Sequence, residues 1–163
     1  MPSEPHEIDL AGKIEELQRN SEAGSVLVTA AIMDDWLQRL LLAAMRPLSN
    51  NVAERIFGSA HPLCDIAPKA DIAFAFNLID QQTLKNIRAV KGIRDLFAHT
   101  RDLIDFSTVE VIDECGALPG FKKGADCHEL FNVTAVDIIE AINRKIEELI
   151  YKHSVANQDG TKS

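Results

Sequence analysis

The chain has 163 residues, and its 17 basic against 25 acidic side chains give a formal net charge of -8. That length buries a core without disulfide or metal staples, since a domain near this size hides roughly 70% of its unfolded surface, and the charge excludes a nonspecific nucleic-acid coat. Only 8 Gly, 6 Pro, 1 Trp and 1 Tyr occur, against abundant Leu, Ile, Ala, Glu and Asp, which favours helices over a turn-dense β-sandwich.

Residues 1–6 read as a disordered tail. The opening residues carry acids and lack both the basic and the apolar region of a secretory leader, so a cytoplasmic chain with reduced thiols is expected. Leu10, Ile14 and Leu17 then follow at steps of four and three and predict a short helix with a glutamate-bearing outer face. Ser25 to Met45 is apolar almost all round, interrupted by Asp34, Asp35, Gln38 and Arg39. Two central aspartates argue against a membrane span, because each carboxylate costs roughly 3 kcal/mol at the bilayer centre. The segment therefore reads as the buried central helix of a bundle, ended by Pro47.

Three further starts are predicted where Asn51 precedes Glu54, Ser107 precedes Glu110 and Thr134 precedes Asp137, each offering a capping oxygen and an acid three residues on. Pro68 suits the first turn of a helix through Ile79, and Asp80 caps a longer one from Gln81 to Leu103. In the last helix Ala135, Ile139, Ile142, Ile146 and Leu149 form a narrow seam beside Glu140–Arg144 and Glu148–Lys152 pairs. That seam suits bundle packing or self-association. Residues 156–163 read as a second disordered tail, and Ser107 to Ile112 is a weak rival strand. The expected fold is all-α, a single-domain antiparallel helical bundle over residues 7–155 with about five long and one or two short helices.

Cys64, Cys115 and Cys127 have no CxxC spacing, and Cys115 with Cys127 and His128 lacks a fourth ligand. Free thiols are expected, with no metal and no cofactor.

The segment Leu84 to Arg101 departs from the acidic background: Lys85, Arg88, Lys91, Arg94 and Arg101 face a single acid, Asp95. At 100° per residue Ile87, Val90, Ile93, Phe97 and Ile104 share one face, which belongs to the core. Arg94 lies at the edge of that face, where a permanently charged guanidinium needs a carboxylate, and Asp34 or Asp35 of the central helix is the expected partner. Arg88, Gly92, Asp95 and His99 form a separate polar stripe, a candidate interaction or ligand surface. Gly92 costs roughly 1 kcal/mol of helix stability relative to Ala and points to close approach by another element or a ligand. Asp95 and His99, four residues apart, suit a carboxylate that orients an imidazole. Alternatively, His99 ends the helix against its dipole while Arg94 makes a buried ion pair.

The run Arg94-Asp95-Leu96-Phe97-Ala98-His99 resembles the Arg-to-His signature of HEPN-type helical domains, many of which are metal-independent ribonucleases acting as dimers. A longer stretch, Phe57 to Phe106, resembles the mannitol operon repressor (MltR) family. It is carried by Pro62-Leu63, Lys69, Asp71 to Ile79, Ile87, Ile93, Arg94 to His99 and Phe106, with Asn77 standing where the pattern has a small residue, usually glycine. The resemblance implies an all-helical regulator of transcription without a helix-turn-helix. Lys91-Gly92-Ile93 lies inside a continuous periodic helix rather than at a turn before a recognition helix, so direct DNA binding is not expected. A homodimer acting through a regulatory protein partner is.

The HEPN resemblance implies the alternative, a metal-independent ribonuclease in which His99 is the general base, Arg94 stabilises phosphorane charge and Asp95 supports them. On an ideal helix Arg94 and His99 point about 140° apart, so a dimer would have to combine them on RNA. A third reading is a non-enzymatic interaction module.

Overall fold

The two predicted N-terminal helices are one. The structure, a computed structural model, describes residues 10–100 and 102–159, and in it α1 (Leu10–Ala44) runs unbroken for 35 residues. Nothing between Ile14 and Ser25 forbids helix, and Gly24 is tolerated because the same stretch is tied down elsewhere. Arg19 pairs with Glu15 one turn away and with Asp105 across the fold, both at 3.0 Å, and Glu22 accepts the Phe106 backbone N–H at 3.0 Å. These contacts offset the roughly 1 kcal/mol helix cost of Gly24. The Met45 amide makes the closing bond to the Leu41 carbonyl at 3.0 Å, two residues before Pro47.

The remaining helices are α2 (Asn50–Phe57), α3 (Ile66–Ala75), α4 (Gln81–His99), α5 (Val109–Cys115) and α6 (Cys127–Asp159). The described residues thus form an all-α bundle without strands, including at Ser107 to Ile112, with three long helices, α1, α4 and α6, and three short ones. No helix among them is long and apolar enough to cross a membrane. The predicted tail at residues 1–6 lies outside the described residues, but the predicted tail at the other end is partly helical. Helix α6 continues through Asp159, since neither Gly nor Pro interrupts it earlier.

Three predicted caps move. α2 begins two residues earlier, with Ser49 as N-cap, and α5 starts after Thr108. Ser107 instead belongs to the preceding turn, where its amide and hydroxyl both donate to the Asp105 carboxylate at 2.8 and 2.5 Å. Those bonds, with Arg19, hold the Asp105 carboxyl below the usual carboxylate range despite its partial burial. Thr134 lies within α6, its hydroxyl donating to the Leu130 carbonyl at 2.7 Å, whereas Asp126 receives the Glu129 amide at 3.0 Å. Short polar side chains serve both ends and interiors of helices, so local spacing alone does not separate them.

Pro68 does fall in the first turn of α3, but that helix stops at Ala75 rather than Ile79. Asn77 is left-handed, with φ of 58°. The Leu78 amide reaches back to the Ala73 carbonyl at 2.8 Å and the Asn77 amide to the Phe74 carbonyl at 2.9 Å, the Schellman closure. Asparagine tolerates this conformation better than other non-glycine residues, which explains how it stands at a glycine-like position.

α4 starts where predicted, with the Asp80 carboxylate accepting the Thr83 amide at 2.7 Å. It ends four residues before Leu103, because the Thr100 hydroxyl takes the Leu96 carbonyl at 2.6 Å and the chain turns extended. The Thr83 hydrogen bonds lower the Asp80 pKa, so the cap is fully effective above the unfolded carboxylate value and is lost as pH falls through the lower folded one. Asp80→Ala should therefore cost about 1 kcal/mol near neutral pH, with the difference from wild type vanishing once the pH falls below the lowered folded value. Urea unfolding at the two pH values measures this, and a pH-independent difference would show that the carboxylate is not the cap.

The core joins Met33, Leu37 and Leu40 of α1, Ile87, Val90, Ile93 and Phe97 of α4, and Phe131, Ile138 and Ile142 of α6. The predicted seam of α6 is rotated: Ala135 and Ile142 are fully buried beside Ile138, while Ile139, Ile146 and Leu149 are half-buried. Glu148 pairs with Lys152 at 2.5 Å and with Lys145 at 3.2 Å, whereas Glu140 and Arg144 form no ion pair among the described residues. Helix α4 runs antiparallel to α6. Its first turn, with Asp80 and Thr83, borders a cavity shared with Arg144 and Glu148, and its C-terminal Phe97 meets Phe131 through Phe106.

Candidate functional site

The charged face of α4 meets carboxylates of α3, of the turn before it, of α5 and of α4 itself. Arg88 is exposed and pairs with Asp71 of α3 at 2.8 Å. Asp95 receives Lys91 at 2.5 Å and Arg94 at 2.8 Å. Burial raises the Asp95 pKa, but the hydrogen bonds and charges of Lys91 and Arg94 together outweigh it and leave the carboxyl below its ordinary range. Lys91 also approaches Asp65 at 3.8 Å.

At Gly92 the Glu114 side chain of α5 lies against α4. A Cβ added there would fall on the Glu114 carboxyl group. That group is the free end of a flexible side chain and makes no hydrogen bond among the described residues, so it can swing outward. Gly92→Ala is accordingly expected to stabilise the protein by several tenths to about 1 kcal/mol, the helix-propensity gain exceeding the cost of moving Glu114. A fall in urea midpoint would instead identify Glu114 as firmly seated.

The expected ion pair of Arg94 with Asp34 or Asp35 is not formed. Asp34 accepts the Lys69 ammonium through both oxygens at 2.8 Å, and Asp35 turns outward to Arg39 at 2.7 Å, whose guanidinium lies 5.3 Å from the Trp36 ring centre. Lys69 has only 2% of its side chain exposed and fills the place assigned to Arg94. It belongs to the buried face Ile66, Lys69, Ala70, Ala73, whose steps of three, one and three are helical. That spacing, a single base on an otherwise apolar stripe, was the available signal for it.

Arg94 instead borders a cavity of about 240 Å³ between α1, α3 and α4. Leu27, Ala30 and Asp34 line one side, and Cys64, Asp65 and Ile66 another. His99 is elsewhere: it is the last residue of α4, exposed, and without a hydrogen-bond partner among the described residues. Asp95 does not orient it, because both Asp95 oxygens are engaged by Lys91 and Arg94. The stripe Arg88, Gly92, Asp95, His99 is therefore divided among separate partners.

Cys115 and Cys127 are buried free thiols, and Cys64 is exposed. Burial, with Cys127 beside it, pushes the Cys115 thiol up to about 12, so Cys115 is protonated and unreactive at neutral pH. The His128 ring stacks on Phe106, its centre 4.7 Å away. No group of three or more His, Cys, Asp or Glu side chains suited to a metal occurs among the described residues. Comparison with known proteins finds no matching family model, no matching curated protein and no matching solved structure.

Proposed function

We propose that this chain is a non-enzymatic cytoplasmic regulator of the mannitol operon repressor kind, a homodimer that lowers transcription through a protein partner. The observation that favours this reading over a ribonuclease working within one protomer is the separation of Arg94 from His99. Arg94 is half-buried and bound to Asp95 beside the α1–α3 cavity, while His99 is exposed at the helix end without a carboxylate to orient it. A general base and a charge stabiliser must converge on one phosphate, and within one protomer these two do not. The family-like run from Phe57 to Phe106 supports the regulatory reading, and the surface offers partner anchors such as Phe76, 71% exposed beside the α3 end.

Deleting the gene in its host should raise transcripts of a limited set of operons. Wild type and His99→Ala should restore them equally, and Phe76→Ala should restore them less. Purified protein should neither cleave RNA without metal nor shift operator DNA by itself. Unchanged transcripts would overturn the proposal, as would metal-free RNA cleavage that is lost in His99→Ala.

A further inference from the structure

The cavity beside Arg94 is built from both signs of charge on an apolar floor. The polar groups that line it and the two lysines paired with nearby carboxylates differ in what they have left to offer. Lys69 is spent on the two Asp34 oxygens and Lys91 on Asp95. Arg94 uses one hydrogen bond, from Nη1 to Asp95, and a guanidinium has five N–H donors, so its remaining donors are uncommitted among the described residues. Asp65 is the N-cap residue of α3, yet its side chain caps no amide and lies 3.8 Å from Lys91, beyond hydrogen-bond reach. Leu27, Ala30 and Ile66 supply the apolar lining.

A simple anion would meet Arg94 but also the Asp34 and Asp65 carboxylates, and a simple cation would meet Arg94. A molecule carrying both charges a few bonds apart satisfies both sides. The volume of about 240 Å³ sits below the roughly 300–1,000 Å³ of sites for drug-sized ligands, which restricts the occupant to a small metabolite. We propose that this cavity binds an α-amino acid with a short side chain, its carboxylate on the Arg94 guanidinium, its ammonium on Asp65 and the outer lone pairs of Asp34, and its side chain against Leu27, Ala30 and Ile66. The planar fork of arginine suits a carboxylate in two-point contact. This site stands apart from the regulatory reading, because its test measures binding alone.

Cys64 provides the readout, since it lines the same cavity and is exposed while Cys115 and Cys127 are buried. The full chain is treated with iodoacetamide, and modification of Cys64 is followed by mass spectrometry with glycine, L-alanine or L-serine present, and with propionate or ethylamine as single-charge controls. At about ten times its Kd an amino acid should slow the reaction roughly tenfold by occupancy, whereas the controls leave it unchanged. Arg94→Gln and, separately, Asp65→Asn should each abolish protection while keeping the unprotected alkylation rate and the melting curve of wild type. The proposal is overturned if none of the three amino acids protects at millimolar concentration, if propionate or ethylamine protects as well as alanine, or if protection survives in either folded variant.

Discussion

Asp34→Ala should destabilise the protein by about 3 kcal/mol, lowering the melting temperature by roughly 6 to 12 °C for a chain of this size. The loss comes less from the broken attraction than from what is left behind. Lys69 has 2% of its side chain exposed and its ammonium is held by both Asp34 oxygens at 2.8 Å, so removing the carboxylate leaves a buried cation without its counter-charge. Asp34 is 29% exposed, which places the expected value at the lower end of the range for buried pairs. Lys69→Met in the Asp34→Ala background should recover about 2 kcal/mol, because a methionine of similar length suits the apolar face of α3 without needing a partner. Urea denaturation of wild type, the single variant and the double variant measures both steps. A single variant within about 1 kcal/mol of wild type, or a double variant no better than the single, would show that Lys69 finds water or another acceptor.

Phe106→Ala should cost about 3 to 4 kcal/mol, as much as a residue in the middle of a core helix. Phe106 lies in the connection between α4 and α5, yet only 8% of it is exposed. Its ring centre is 5.3 Å from that of Phe97, 5.8 Å from Phe131 and 4.7 Å from His128. Its amide donates to Glu22 of α1, so one residue joins α1, α4 and α6. Truncation removes the ring from water-free surroundings and leaves a cavity that helix backbones on three sides cannot fill, while Phe106→Leu should lose only about 1 to 2 kcal/mol. Equilibrium unfolding in urea gives both values. A loss below about 1.5 kcal/mol for alanine would mean that the connection is not anchored to the core.

Much of the helical architecture was legible because periodicity, caps and prolines act locally. Ile87, Val90, Ile93 and Phe97 of the predicted face are buried, while Ile104 lies beyond the end of α4 and is half-buried; Asp80 caps α4, and Pro68 sits in the first turn of α3. Local signals were weaker at helix ends. The stop at Ala75 depends on a left-handed asparagine, Asn51 lies inside α2 behind a Ser49 cap, and the hydroxyls of Ser107 and Thr134 bond Asp105 and the Leu130 carbonyl instead of capping.

The candidate site was legible only in part. Arg94 was recognised as a charge at the edge of the core, but its partner was not Asp34 or Asp35, since Lys69 reaches Asp34 first and Asp95 lies within reach of Arg94 on the same helix. The choice among carboxylates depends on which helix faces meet, and α1 and α3 bring Asp34 and Lys69 together from 35 positions apart. The sequence by itself determined the all-helical class and the inward face of α4, because helix formation and amphipathic burial follow from residue spacing within a few turns. Tertiary structure alone decided that α1 is continuous, that Phe106 is core, and that Arg94, Asp65 and Cys64 border one cavity, because each depends on contacts between segments far apart in the chain.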